Sequence, residues 1–412
     1  MRLQNKIRTL VVLAVIFLPP WKADAFYDAK GDGYELDARG YFDVAASFSK
    51  NPDAPLLYPN RYDEGYGFTS RLMVGETSGD WFAFEFNGLA YGLGSSSPIP
   101  VFPDVERSSA VEWVVHDGAY IRSHVVVDHL NVRFSRGGVD LIAGRQAINL
   151  ATCFFFTPND LFAPFAAQTF YRVFKPGVDA ARLEVRLGGL SQLTLVAAEG
   201  YAPDPSGANG WSASPDIGRA SYVARAVTTF SNFQWGVVAG KMANFDLVGG
   251  SMQGEVFNWL GIRGEGHVEF AGADSRALAA VGLEHRFNNG VTARYEEFYN
   301  GAGAASAGQY RLATWYSTQY HGLNYGALGF DYQFTPLWSA SAVAIANFTD
   351  GSDLAAFNAV YSLADNSEIW FGLFLPGGAG ASASPGLPSS VVPGSEYGLY
   401  PYSATVDLRM YF

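Results

Sequence analysis

The chain has 412 residues and a formal net charge of −12 at pH 7, which argues against the clustered basic surface that nucleic-acid binding requires. Aromatic residues make up 15% of the chain and charged residues only 16%, and there are 46 glycines. This is an unusual composition for a water-soluble protein. The single cysteine, Cys153, excludes an intramolecular disulfide, a C-x-x-C-H haem site and C-x-x-C zinc or redox motifs. We therefore expect neither a cofactor nor a metal site.

Residues 1–25 have the pattern of a secretory signal peptide. A basic head that ends at Arg8 precedes an apolar run from Thr9 to Leu18, and Ala23-Asp24-Ala25 fits a signal-peptidase site. The run is about half the roughly 20 residues that a transmembrane helix needs, although an uncleaved anchor is the alternative. The first 25 residues carry four basic and one acidic side chain, so the predicted mature domain, 26–412, has a net charge of −15.

Polar and apolar residues alternate with period two along the mature chain, which predicts β-strands. Between residues 259 and 270, for example, Arg263, Glu265 and Glu269 share one face, while mostly apolar residues and glycines share the other. A soluble β-sandwich also alternates in this way. Here, however, tight turns alternate along the sequence with long glycine-, proline- or serine-rich loops, as in outer-membrane barrels. We therefore predict an all-β fold, a transmembrane antiparallel β-barrel in the outer membrane.

Counting with this alternation of turns and loops gives eighteen strands, or sixteen if the weakest one, 246–256, is left out. The predicted strands are 34–49, 66–77, 81–91, 117–134, 139–149, 177–187, 190–199, 219–230, 233–242, 246–256, 259–270, 276–287, 291–300, 322–334, 337–348, 353–364, 367–375 and 397–412. An even number places both termini on the rim of the tight turns.

In a barrel the apolar face of each strand contacts lipid and the polar face lines the lumen. The charged residues that this rule places in the lumen, where they would set selectivity, are Arg182, Glu184, Arg186, Arg263, Glu265, Glu284, Arg286, Arg294 and Glu296. Arg145 does not fit, because it shares the face of Val139, Leu141 and Ala143. A bulge or a position above the membrane would account for it.

The segment near 150–176 is too irregular for a strand and too aromatic for a solvated loop. Three prolines, Pro158, Pro164 and Pro176, break regular structure in it. A loop folded into the barrel would bury the aromatic rings and narrow the pore, whereas a self-packed external cap would bury them without narrowing it. The residues expected to form the constriction are Phe154, Phe155, Phe156, Asn159, Asp160, Phe162 and Phe165.

Three motifs surround this segment. They are G-R-Q-x-I (Gly144, Arg145, Gln146 and Ile148), P-N-D-x-F-x-P (Pro158, Asn159, Asp160, Phe162 and Pro164) and P-G-V-D-A-x-R (Pro176, Gly177, Val178, Asp179, Ala180 and Arg182). Their arrangement resembles a set of Gram-negative outer-membrane porins, which includes the barrel components of porin–cytochrome conduits in metal-reducing bacteria. The resemblance implies an outer-membrane channel. It does not distinguish a channel that passes solutes from one that houses a cytochrome.

Together these features predict a porin that passes small solutes or ions by diffusion, with lumen charges setting selectivity and the loop setting size. The alternative is the barrel sleeve of a porin–cytochrome complex, with periplasmic and extracellular multihaem cytochromes as partners. None of the six histidines lies in a G-x-S-x-G or H-E-x-x-H motif, so we expect no enzyme.

The last eight residues, Thr405 to Phe412, alternate strictly and end on an aromatic ring. The alternation predicts a final strand that closes the barrel against the first, with Thr405, Asp407 and Arg409 toward the lumen. A terminal aromatic residue resembles the signal that the barrel assembly machinery reads. Phe412 is therefore the expected assembly signal, and the assembly machinery and outer-membrane lipid are expected partners.

Overall fold

Backbone pairing between the first and last strands closes a single antiparallel sheet into a barrel. The structure, a computed structural model, describes residues 27–54, 57–99, 104–170, 174–311, 319–384 and 387–412. About 65% of the chain is strand, and eighteen strands form the wall. The closing seam runs from Tyr41 opposite Tyr411 to Lys50 opposite Tyr402. The predicted eighteen-stranded barrel is confirmed, and the predicted signal peptide lies outside the described residues.

The wall strands follow one another around the barrel in chain order. They are β1 (Tyr34–Lys50), β2 (Tyr62–Ser78), β3 (Phe82–Ser95), β4 (Ile121–Arg136), β5 (Val139–Gln146), β6 (Val178–Arg186), β7 (Ser191–Ala198), β8 (Ser221–Phe230), β9 (Phe233–Met242), β10 (Phe245–Val256), β11 (Leu260–Ala271), β12 (Asp274–Arg286), β13 (Thr292–Asn300), β14 (Asn324–Thr335), β15 (Trp338–Asn347), β16 (Ser352–Ala364), β17 (Ser367–Gly377) and β18 (Tyr402–Tyr411).

One rim of the barrel has only short turns, and the other has all the long connections together with three short ones at 243–244, 272–273 and 348–351, as predicted. Two of the tight turns consist of Ser231-Asn232 and Phe257-Asn258, and all four residues have positive φ angles between 53° and 65°. Positive φ at both central residues is the geometry of a type I′ hairpin turn, whose twist matches that of the flanking strands. These turns therefore hold their strands in register.

Several short elements lie outside the wall. Additional strands are Tyr27–Gly31, Glu112–Asp117, Tyr201–Pro203, Trp211–Pro215, Ser382–Ser384 and Leu387–Val392, and 3-10 helices are Ser109–Val111, Ile217–Arg219, Ala307–Gln309 and Tyr397–Leu399. Tyr27–Gly31 extends the sheet beside the start of β1, and Glu112–Asp117 pairs with β4. Within the described ranges, no helix has the length and apolar character to span a membrane.

Long-range burial shortens two of the predicted strands. The strand predicted at 139–149 ends at Gln146, because Ile148 and Leu150 turn inward and pack in an apolar cluster. The strand predicted at 397–412 begins at Tyr402, because residues 397–399 form a 3-10 turn whose Tyr397 and Leu399 are buried. Alternation alone does not reveal such contacts.

Arg145 lies on the lipid-facing side of the wall, as its sequence position implies, but it is not exposed to lipid. Its side chain forms an ion pair with Asp179, the residue opposite it on β6, with Nε 2.8 Å from Oδ1. The guanidinium also donates to the carbonyls of Ser108 (2.8 Å) and Val127 (3.0 Å). The Ser108 amide donates to Asp179 at 2.9 Å, so a long loop covers the pair from outside. The first and third motifs thus meet across two neighbouring strands.

We expect Arg145→Ala to destabilise the barrel by about 3 kcal/mol, because it leaves the largely buried Asp179 carboxylate without its cation. Reversible urea unfolding in lipid vesicles, followed by tryptophan fluorescence, measures this loss. Arg186→Ala is the matched control. Its side chain is 67% exposed and pairs with Asp140 at 3.3 Å, so its removal should cost about 1 kcal/mol or less. Equal losses for the two variants would contradict the assignment.

Candidate functional site in the barrel lumen

The described parts of the loop between β5 and β6, residues 147–170 and 174–177, fold into the lumen. Its Phe174 ring stacks on Tyr41 of β1, with centroids 5.5 Å apart. Its Asn159 amide donates to the Gly250 carbonyl of β10 at 3.0 Å, and its Phe170 ring lies 6.4 Å from Phe374 of β17. A segment that contacts strands all around a closed barrel can only lie inside it. The inward interpretation of the aromatic loop is therefore the one that the structure supports.

Two carboxylates of the wall hold the backbone of this inward loop. Glu265 of β11 accepts hydrogen bonds from the amides of Thr152, Cys153 (3.0 Å) and Asn159 (3.0 Å). Glu296 of β13 accepts from three consecutive amides, at 2.6, 2.7 and 3.0 Å, those of Phe154, Phe155 and Phe156. Glu265 is 5% exposed and Glu296 is 1% exposed. The loop thus obtains from side chains the hydrogen bonds that a strand obtains from its neighbours.

An aromatic cluster fixes the middle of the loop against the wall. Phe156 is fully buried and stacks on Phe298 of β13 with centroids 5.1 Å apart. Cys153 and Ala167 belong to the same cluster, which continues over inward residues of β14, β15 and β16. Phe155 packs against the edge of this cluster. On this side of the barrel the loop and the wall share one apolar core.

Phe154 lies between two guanidinium groups. Its ring centroid is 3.6 Å from the guanidinium carbon of Arg263 and 4.3 Å from that of Arg294, which is close enough for cation–π attraction. Arg294 Nε also donates to Glu284 at 2.6 Å, and Arg263 donates to the Thr152 carbonyl at 3.1 Å. Three of the predicted lumen charges, Arg263, Arg294 and Glu284, therefore position the loop or one another.

The second motif supplies polar contacts at the bend of the loop. Asn159 is 2% exposed, and its side-chain oxygen lies 3.1 Å from Nδ1 of His267 on β11. Asp160 forms an ion pair with Lys175 farther along the loop. Burial lowers the pKa of Lys175, and the charge of Asp160 opposes that shift. The ion pair therefore links the C-terminal end of the loop, at Lys175, to the bend at Asp160.

The start of the loop packs against the opposite side of the wall. Ile148 and Leu150 form a cluster with buried residues of β6 to β10, and Phe162 packs on it. Phe165 is partly buried. All seven residues predicted for the constriction thus lie in the inward loop, and six of them have defined contacts with the wall or with the loop itself.

The end of the loop is held by a network of charged side chains that the sequence analysis did not predict. Phe174 lies 4.4 Å from the guanidinium carbon of Arg71 on β2. Arg71 donates to Asp128 of β4 at 2.7 Å, and Arg107 of a long loop donates to the same carboxylate at 2.9 Å. Tyr66, Phe68, Leu72 and Val74 lie on the face of β2 opposite to Arg71, so the inward position of Arg71 was readable from the sequence. Its partners were not.

A second long connection, between β17 and β18, closes over the same core. Glu396 is fully buried and accepts hydrogen bonds from the Tyr325 hydroxyl at 2.5 Å and the Asn347 amide at 2.9 Å. Burial raises the pKa of Glu396 to about 7. The neighbouring Tyr397 belongs to the cluster that contains Phe156. The core around the inward loop is thus covered from the long-loop rim.

An opening remains between the loop and the wall at β16 to β18. It is a cavity of about 350 Å³ lined on the loop side by Gln168, Thr169 and Phe170. Wall residues that line it include Asp407 and Arg409 of β18. Both were expected to face the lumen from the strict alternation of the final strand. This opening is the candidate constriction through which a solute would pass.

The remaining predicted lumen charges line the wall away from this opening. Strand register places Arg182, Glu184 and Arg186 on the inward face of β6, with Arg182 and Glu184 3.3 Å apart. Arg286 lies at the end of β12 on the face of Glu284 and is exposed. The nine residues predicted for the lumen therefore all lie on the inward face of the wall, but the structure does not gather them into one site.

Among the described residues, no group of three or more His, Cys, Asp or Glu side chains is arranged to hold a metal ion. The cysteine thiol is buried against the wall.

Solved structures with a similar fold are eighteen-stranded outer-membrane porins of Gram-negative bacteria. Acinetobacter baumannii OccAB1 matches with a TM-score of 0.54 and 10% identity, over 96% of this chain and 99% of that chain. Acinetobacter baumannii OccAB4 matches with a TM-score of 0.54 and 9% identity, over 91% and 98%. Pseudomonas aeruginosa OpdQ matches with a TM-score of 0.52 and 8% identity, over 91% and 98%.

The chain has the fold of these porins. At this level of identity the likeness concerns the barrel itself and not what passes through it. No protein-family model matches the sequence, and no curated protein matches it either. The residues of the inward loop must therefore carry the functional argument.

We expect Glu296→Ala to loosen the inward loop, because each buried amide left without an acceptor costs about 1–3 kcal/mol. The single cysteine reports the change, since Cys153 is only 8% exposed in the anchored loop. Its rate of reaction with a maleimide should rise several-fold in the folded barrel. Glu297→Ala is the matched control, because Glu297 is exposed on the outer face of the same strand. Unchanged labelling of the Glu296 variant would show that other contacts hold the loop.

Proposed function

We propose that the protein is an outer-membrane porin that passes small solutes or ions by diffusion. The observation that carries this proposal is the opening, lined in part by Asp407 and Arg409, that the inward loop leaves beside β16 to β18. The loop takes up much of the lumen, and its anchored backbone gives the opening a defined edge. Size selection would come from this edge, and charge selection from the side chains around it.

The inward loop favours the porin over the cytochrome sleeve. A sleeve needs a lumen wide enough for a folded haem protein, whereas here the loop contacts strands from β1 to β17 across the interior. The loop is also part of the folded core, since Phe156 and Cys153 are buried with wall residues. A cytochrome could enter only if this core opened.

Charges near the opening favour cations. Arg409 is surrounded by three carboxylates, those of Asp43 at 3.6 Å, Glu368 at 3.5 Å and Asp407 at 3.8 Å. One guanidinium offsets one of the three negative charges when all are ionised, so the wall of the opening keeps a net negative charge. Such a wall raises the local concentration of cations.

Deletion of residues 152–172 should raise the single-channel conductance several-fold, because it removes the loop from the lumen. Planar-bilayer recording of the purified barrel in potassium chloride measures this change. Heat-modifiable migration on gels checks that the variant is folded. Equal conductance of the wild type and the deletion variant would mean that the loop does not limit the passage.

Asp407→Asn should lower the ratio of potassium to chloride permeability, because it removes a negative charge at the opening. Reversal potentials across a salt gradient measure the ratio. Asp274→Asn removes the same charge from an exposed position at the start of β12 and should leave the ratio unchanged. A ratio that is equally unaffected in both variants would place the selectivity filter elsewhere.

We also propose that Phe412 is the assembly signal of the barrel. Its amide and carbonyl exchange hydrogen bonds with Gly40 of β1 at 2.9 and 2.8 Å, which extends the closing seam by one residue. Phe412→Ala keeps these backbone bonds and removes the ring. This variant should lower the yield of heat-modifiable barrel in the outer membrane several-fold, whereas Phe412→Tyr should assemble normally. Normal assembly of Phe412→Ala would assign the terminal residue to the seam alone.

A further inference from the structure

A cavity of about 680 Å³ opens on the outer side of the barrel wall near the long-loop rim. Its floor includes Ala143, Ala181 and Ala197, which lie in register on β5, β6 and β7. Its roof includes Val111 of one long loop and Ile217 of another. The cavity is therefore bounded by two loops as well as by the wall.

The cavity is continuous with the lipid-facing surface. In the next row toward the membrane centre, Leu141, Leu183 and Leu195 occupy the outward positions of the same three strands. Leu141 and Leu195 are both exposed. Ile217, at the edge of the cavity, is 84% exposed and adds to this apolar surface. The mouth of the cavity thus lies beside the hydrocarbon of the bilayer.

Polar groups at the margin of the cavity are already engaged with one another. Arg145 and Asp179 form the covered ion pair described above. Glu199 accepts a hydrogen bond from the Tyr201 hydroxyl at 2.7 Å, and the Asp216 carboxylate accepts one from the Gly218 amide at 2.9 Å. What the cavity offers to a ligand is therefore mainly apolar surface.

We propose that this cavity holds an acyl chain of a bilayer lipid from the leaflet on the long-loop side. Its volume lies within the roughly 300–1,000 Å³ typical of small-molecule sites. A hydrocarbon chain matches the apolar lining and reaches the cavity directly from the membrane. The proposal depends on the lipid-facing wall and not on what passes through the lumen.

Photo-crosslinking of the full barrel tests this site. The protein is reconstituted in phosphatidylethanolamine vesicles that contain a phospholipid with a diazirine in one acyl chain. After irradiation, labelled peptides are mapped by mass spectrometry. Labelling should be enriched several-fold at segments 108–111 and 215–220 over the outward residues of β12 to β14. Uniform labelling around the barrel would overturn the proposal.

A second test of the site fills the cavity with a larger side chain. Ala181→Trp should abolish the enrichment, and Ala143→Trp serves the same purpose if the first variant does not assemble. Ala279→Trp, on the exposed outward face of β12, is the matched control and should keep it. Persistent enrichment in a folded, filled variant would also overturn the proposal. Conductance should be unchanged in these variants, so a failure here is distinguishable from a failure of the channel assignment.

Discussion

Two glutamates of the wall hold the backbone of the loop that fills the interior of this barrel. An irregular backbone inside a closed sheet has no neighbouring strand to pair with, so its amides need other acceptors. Glu265 and Glu296 provide them for six amides between Thr152 and Asn159. Because the backbone is held there, Phe156 can stack on Phe298 and Phe154 can lie between two arginines. The position of the opening beside β18 follows from the same anchoring.

The outer side of the wall also has polar groups that need partners, and here a loop supplies them. Arg145 and Asp179 point away from the lumen toward the lipid side of the wall. An ion pair exposed to hydrocarbon on that side would be costly. The loop that contains Ser108 covers them and takes part in their hydrogen bonds. One loop thus enters the barrel, and another covers the outward pair through Ser108 while its Arg107 binds Asp128. The Arg145–Asp179 pair joins the two strands between which the inward loop leaves the wall, and the cavity proposed for a lipid chain lies beside this junction.

The anchored loop divides the lumen into a packed side and an open side. On the packed side, the loop shares an apolar core with β12 to β16. On the open side, Asp407 and Arg409 face a cavity next to the loop. The diffusion channel that we propose needs both, because the packed side would keep the loop rigid and the open side would give solutes a charged path. The porin assignment rests on this combination more than on the similarity of the barrel to other porins.

Strand faces, turn positions and the closing seam were determined by the sequence alone, because they depend on alternation between adjacent residues and on local turn geometry. The outward position of Arg145 and the inward positions of Glu265, Glu296, Asp407 and Arg409 follow from that alternation. Only the tertiary structure decided that the aromatic loop lies inside, that Glu265 and Glu296 anchor it, and that the strand predicted at 397–412 begins at Tyr402. Those outcomes depend on contacts between residues more than a hundred positions apart, such as Phe156 with Phe298, which no local pattern encodes.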